Sequence, residues 1–397
     1  MGALLITGAI AGALLGVFSG GVAAQATQPA PASSPAATSS PGDSTARKAA
    51  PEPPLAGLRI GGYAEASYAY ASRATDRIIA GRLFDRYQDQ FELNAVKVSL
   101  DRPYAANRWD AGVHADVLLG QNATVLRSTG FDLGDEGDVT QLFITLNIPT
   151  HNGNGLQLKA GKMVTLLGQE VLEDPANPNW SEGNQFVYVE NFTATGLSAE
   201  YRFNRYMDMQ LRVTNGWDAV QAINDGKSLM GRVGFYPDSV STVALVGYYG
   251  AEQPNSAGPK RYGGEVLVNR TLGARTAAWL QADYGREGAG PALPDSTRDA
   301  VWWALGGWLT WQLSGPAQLA LRADYVDDVS GARTSGVLGF PSASPQRFGS
   351  ATATLNLRAW PHTLVRPEVR WDRSSNPLAF AGRRQQASVA LSVAYLY

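Results

Sequence analysis

The residues best placed to act on a solute lie in one segment, TLLGQEVLEDPANPNWSEGNQFVYVENF, residues 165–192. It carries Glu170, Glu173, Asp174, Glu182 and Glu190, with no Lys or Arg among them. Ten bases sit at alternating positions elsewhere: Arg59, Lys97, Lys159, Arg202, Arg212, Arg232, Arg322, Arg358, Arg366 and Arg370. Acids on one side of a wet passage and bases on the other would create a transverse field that favours polar solutes and orients them. A blander reading has the acids simply solvating an external loop. The bases are also interleaved with Glu65, Glu92, Asp116, Glu200, Asp208, Glu265, Asp283, Asp324 and Glu368. Many of these pairs could serve only to stiffen a wall, so ion selectivity does not follow from the pattern.

Covalent chemistry is poorly supplied. The chain has no G-x-S-x-G elbow, no H-E-x-x-H and no phosphate-binding loop; Gly155 to Lys162 has the wrong spacing and no following Ser or Thr. The three histidines, His114, His151 and His362, are far apart in sequence. His114 is expected to face the inside of a sheet, the other two to lie in short turns, all as solvated polar groups. With no cysteine, disulfides and thiolate metal sites are excluded. No cofactor, no metal site and no catalytic residue is implied. A barrel enzyme of lipase or protease type would need a clustered Ser/His/Asp set, which these histidines do not supply.

The elements that must position the charges are strands. Gly is abundant at 43, aromatic and short apolar runs recur, and only 17% of residues are charged. Lys plus Arg number 33 against 35 Asp plus Glu, which gives no electrostatic case for nucleic acid. Sixteen alternating segments can be marked, from 58–71 to 384–397. Soft boundaries allow between about fourteen and eighteen. Each is near the length that crosses a bilayer when tilted. Their connections alternate strictly between short, such as 102–107, 271–274, 314–316 and 360–362, and long, such as 72–88, 120–137, 165–192 and 328–345. Tight turns at one end and long loops at the other mark a transmembrane antiparallel up-and-down β-barrel. A soluble sandwich has no reason to sort its loops by parity.

The two faces of each strand agree. In 363–373, Val365, Val369 and Trp371 oppose Arg366, Glu368, Arg370 and Asp372. Charges repeated along one face would be costly in a dry core, but they suit a water-filled interior. Aromatics gather near strand ends, as expected of membrane girdles. One set, including Trp109, Tyr206 and Trp360, flanks the short turns. The other, including Tyr70, Trp217, Tyr248, Trp302, Trp303 and Trp371, flanks the long loops. The final strand ends on Tyr395 and Tyr397, read here as an assembly signal presented to the barrel-insertion machinery.

Upstream, residues 1–26 read as a secretory signal peptide, with cleavage near Ala24 or Ala26, although no Lys or Arg precedes the apolar run. Residues 27–57 form a Pro/Ala/Ser-rich tract expected to be a disordered periplasmic spacer. Residues 58–397 are then one barrel domain, with 165–192 folding inward.

The segments GYAEASYAY (62–70), AGKMVTLLGQEV (160–171), TGLSAEY (195–201), VTNGWD (213–218) and QASVALSVAYLY (386–397) make the chain resemble the OmpL-like β-barrel porins of Gram-negative bacteria. The resemblance implies an outer-membrane location and passive conduction of small hydrophilic solutes or ions. It supplies no catalytic residues. The alternatives are a barrel enzyme, or a structural or adhesive barrel with a closed lumen. Expected partners are outer-membrane lipid, the insertion machinery and small polar solutes or ions, with no nucleic acid. The sequence leaves oligomeric state open, a homotrimer included.

Overall fold

The computed structural model describes residues 57–131, 133–151, 153–289 and 297–397. The expected signal peptide, and the spacer apart from Gly57, lie outside the described residues.

Sixteen strands close into one antiparallel barrel. In chain order they are β1 (Arg59–Ala71), β2 (Phe91–Arg102), β3 (Asp110–Leu119), β4 (Gly137–Ile148), β5 (Leu156–Val164), β6 (Thr193–Asn204), β7 (Met207–Trp217) and β8 (Ser228–Asp238). There follow β9 (Ser241–Gly250), β10 (Arg261–Thr271), β11 (Thr276–Glu287), β12 (Ala300–Gln312), β13 (Ala317–Asp328), β14 (Gln346–Trp360), β15 (Thr363–Ser374) and β16 (Gln385–Leu396). Each strand pairs with its sequence neighbours, so the up-and-down order expected from the loop parity is the order found. Short turns such as 205–206 and 361–362 lie at one end of the barrel, and every long connection lies at the other.

Closure is made by β1 against β16, in a register running from Tyr63 opposite Leu396 to Ala71 opposite Ser388. Beyond β16, Gly62 and Tyr397 exchange two backbone hydrogen bonds of 3.0 Å. The Tyr397 hydroxyl donates to the Lys97 carbonyl at 2.8 Å, so its ring lies across Gly62. A Cβ at Gly62 would fall 2.8 Å from that ring. Only glycine admits this aromatic lid over the seam.

The burial pattern inverts that of a soluble core. On β15 the apolar Val369 and Trp371 are exposed, while Arg366, Glu368, Arg370 and Asp372 are buried. β7 repeats this, with Leu211 and Val213 outside and Arg212 and Thr214 inside. A closed sheet leaves no backbone group unpaired at an edge, so an apolar exterior and a charged interior are compatible only with lipid outside.

The long-loop half of the bore is filled. Phe84, Phe186 and Phe192 meet ring to ring, with centroids 5.2–5.9 Å apart. A second cluster joins Tyr188, Trp302, Phe340, Phe348 and Phe380. Both clusters draw side chains from several long loops onto the inner wall. Among the aromatics expected in the girdles, Tyr70, Trp303 and Trp371 are exposed outward, but Trp302 and Tyr248 are buried inside. Trp217 also turns inward and meets Tyr248 edge-on, ring centroids 5.0 Å apart. In β12 the reason is parity: Trp302 shares its face with the buried Ala304 and Trp308, and its neighbour Trp303 takes the lipid side.

Candidate functional site

The loop between β5 and β6, residues 165–192, crosses the bore. Its two ends are held beside their own strands. The Phe192 and Thr193 N–H groups both donate to Asp218 Oδ1 at 2.8 Å. Burial lifts the Asp218 carboxyl to about 6, against the pull of those two N–H groups. The middle of the loop reaches β10–β15, the wall opposite its origin. Gly168 N–H donates to Glu265 on β10, and Gln185 donates to Asp283 on β11. Asn184 bonds Asp324 on β13 through both its backbone and its side chain. The Asn179 side chain donates to Thr354 on β14, and Trp180 N–H donates to Glu368 on β15. The approach is close: a Cβ at Gly306 on β12 would meet the Gln185 Oε1 at 1.7 Å, so any larger residue there would have to push the Gln185 amide aside. A short helix α1 (Asn184–Tyr188) sits at this contact.

Each acid predicted for the loop has a definite place. Glu170 accepts from Arg322 at 2.6 Å and from the Trp308 indole at 3.1 Å, while its other oxygen takes the Gly183 N–H. Glu173 pairs with Lys97, which also holds Asp116 at 2.8 Å. Asp174 accepts from Asn122 at 2.6 Å, and its backbone carbonyl takes an Arg366 N–H at 2.7 Å. Glu182 lies against Asp174; burial first, then that neighbouring carboxyl, pushes it well above the ordinary range. Burial, then the charge of Glu65, does the same to Asp174. Glu190 accepts from Gln281 at 2.7 Å and is raised well above its usual value by burial, with Asp283 adding repulsion.

The ten bases divide into three groups. Lys97, Arg322, Arg366 and Arg370 touch the loop. Arg366 is fully buried, pairs with Glu65 at 2.5 Å and grips the loop backbone at Asp174. Arg370 holds Asp372 at 2.9 Å and donates to the Glu182 carbonyl at 2.6 Å. Lys159, Arg212 and Arg232 line the wall near the loop's origin. Lys159 pairs with Glu200, and Arg232 with Asp208, at 2.8 and 2.6 Å. Arg212 donates to the Val164 carbonyl, where the loop begins. Arg59, Arg202 and Arg358 are exposed, near the short-turn ends of their strands, and the structure does not bring them to the loop. The expected picture of two charged walls facing across water therefore becomes, on one side, direct contact between loop and wall.

Several anchoring residues escaped sequence reasoning. Asp324 and Glu368 were legible as inward acids, but they serve as acceptors for loop N–H groups rather than as partners for bases alone. Asn179, Gln281 and Trp308 carried no signal beyond strand parity or a place in the long loop. His114 faces inward as expected, 3.3 Å from Asp101 and 3.2 Å from Asp116. No group of three or more His, Cys, Asp or Glu among the described residues could hold a metal ion.

A family model described as "Putative beta-barrel porin-2, OmpL-like" matches residues 57–397. No curated protein matches. Among solved structures, the outer membrane channel DcaP of Acinetobacter baumannii aligns with a TM-score of 0.56 at 10% identity, covering 86% of this chain and 97% of that one. An anion-selective porin from Comamonas acidovorans gives 0.56 at 10% identity, with 86% and 99% coverage. OmpF of Salmonella typhi, in complex with daunomycin, gives 0.57 at 10% identity, with 86% and 97% coverage. At such identities the likeness is one of fold.

Proposed function

This chain belongs to the OmpL-like β-barrel porin family, and from that premise we propose an outer-membrane channel for passive diffusion of small hydrophilic solutes or ions, narrowed by residues 165–192. The observation that carries the reading is the charged bore of a closed sixteen-stranded barrel with a loop bonded across it. Sixteen strands enclose more space than inward side chains fill, and passive diffusion needs no cofactor. Glu170, Glu173, Asp174, Glu182 and Glu190 are the proposed constriction. Lys97, Lys159, Arg212, Arg232, Arg322, Arg366 and Arg370 are the proposed basic lining. The filled long-loop half supports a narrow path and small unitary currents.

That same filling favours a second reading, a barrel whose lumen is closed at rest by the two aromatic clusters. Single-channel recording in planar bilayers separates the two. Discrete steps are expected; a correctly inserted barrel that stays silent would overturn the channel in favour of the closed lumen. An exported, cleaved N-terminus belongs to the same proposal. So does an assembly signal at Tyr395 and Tyr397, the latter sealing the β1–β16 seam. Deleting Tyr397 is expected to reduce the heat-modifiable barrel on gels, and unchanged yield would remove that role.

A further inference from the structure

Four arginines stand together at the outer rim of the long-loop end. Arg73 follows β1, Arg373 lies near the end of β15, and Arg383 and Arg384 form the connection into β16. With Gln385 they line an open hollow of about 410 Å³. All four are exposed, and none makes a side-chain hydrogen bond or ion pair among the described residues. This sets them apart from the buried bases of the bore, where Arg322, Arg366 and Arg370 each hold a carboxylate within 3 Å. Four adjacent guanidinium groups without counter-charge repel one another, and an anion in the hollow would relieve that repulsion.

The hollow's height and direction identify the anion. Arg373 and Gln385 oppose one another in the β15–β16 register and point outward, two residues beyond the outward pair Trp371 and Ala387. Trp371 and Tyr70 are exposed on that lipid face. Exposed Trp and Tyr at strand ends mark the headgroup level, and two residues along a strand raise the arginines about 7 Å above it. Below, across β13 to β16, a shallow dish is lined by Leu319, Ala353, Leu355, Pro367, Val369 and Val389. Pro367 has no N–H for the ladder and sits in the gap between the Thr354–Glu368 and Leu357–Val365 pairings, which dents the wall there. A cationic cradle above an apolar dish matches an amphiphile, not a soluble ion.

We propose that this rim is a binding site for a lipid with a multiply phosphorylated headgroup, its phosphates on Arg73, Arg373, Arg383 and Arg384 and an acyl chain along Val369 and Val389. The planar guanidinium fork binds phosphate oxygens two at a time, which lysine cannot reproduce.

The full chain in detergent, titrated with diphosphorylated lipid A and followed by native mass spectrometry, tests this. Replacing all four arginines by Gln is expected to weaken binding by at least about tenfold, with a smaller loss for four lysines and none for Arg108→Gln at the opposite end. If the fourfold variant yields no heat-modifiable barrel, the Arg383→Gln/Arg384→Gln pair, which lies outside the strands, is expected to lose several-fold. Equal binding by wild type and Gln variants would overturn the site. So would equal binding of a zwitterionic phospholipid. Inorganic phosphate displacing the lipid at matched phosphate concentration would reassign the hollow to a soluble anion. Conductance enters none of these readouts, so the lipid site and the channel can fail separately.

Discussion

The two sides of the bore solve the same problem differently. Both carry inward cations, and a cation facing a low-dielectric wall needs an anion. On the β5–β8 side the answer lies in the next strand: Lys159 with Glu200, Arg232 with Asp208. These pairs keep some exposure, while Leu166 and Leu167 at the start of the loop pack against Met230 on β8. On the side of β10–β15 and β2 the cations and acids are shared with the loop, so wall and loop form one buried network. Arg322 bonds Glu170 and Ser181 together, and Glu368 accepts from Trp180, Ser181 and Thr354. The proposed solute path therefore belongs along the β5–β8 wall, where the paired charges keep 11–22% exposure, and the opposite wall acts as the loop's mount.

The strongest way to break this comparison is Arg366→Ala. The substitution leaves Glu65 buried and unpaired and frees the loop backbone at Asp174. Removing one partner of a buried pair costs about 3–5 kcal/mol, so the urea midpoint of the lipid-folded barrel should fall sharply. Unitary current should also rise and grow noisier as the loop detaches. A variant of unchanged midpoint and current would deny that the loop is mounted here.

Converting Glu170, Glu173 and Asp174 to their amides is expected to act next. Glu170 and Asp174 are buried in the mount while the Glu173 side chain stays 22% exposed, so cation/anion preference should shift in reversal-potential measurements. Because Glu170 and Glu173 are already neutralised by Arg322 and Lys97, the shift should be toward anions, those cations having lost their partners. No shift would place the path away from the loop.

A pH effect follows at Asp218, which clamps the loop's returning end. Burial raises its folded value to about 6, above an unfolded value of about 3.9. A raised carboxyl binds extra protons in the folded state, so its stabilisation is full below the unfolded value and is lost as pH climbs through about 6. The wild-type barrel should lose urea resistance across that window, and Asp218→Asn should flatten the slope. An identical slope in the variant would assign the pH dependence elsewhere.

How much of this was legible in the sequence follows the range of the forces. Strand number, faces and loop parity depend on neighbours a few residues apart, and period two carries them on the surface of the text. The inward placement of Arg366 or Glu368 needed nothing more. The seat of the loop depends on which wall stands opposite after closure, through contacts such as Asn179 to Thr354 or Trp180 to Glu368, and no local pattern encodes that. Trp302 and Tyr248 are a different lesson. Their parity already placed them inside, but their nearness to strand ends suggested the girdle, and parity was the better guide. Arg59, Arg202 and Arg358 show the converse: correct face, but a height near the short turns that alternation cannot report.

The smallest expected effect is also the sharpest test of where water runs. Lys159 and Glu200 are paired at 2.8 Å on adjacent strands, with side chains that remain 22% and 11% exposed. If solvent reaches them, their coupling in a double-mutant cycle should stay below about 1 kcal/mol, the range of exposed pairs. The Arg366–Glu65 cycle, with both side chains wholly buried, should give several times more. The ratio of the two couplings then measures the contrast between the two sides of the bore. Equal couplings would mean that the β5–β8 wall is as dry as the loop's mount, and the path assigned to it would have no room for a solute.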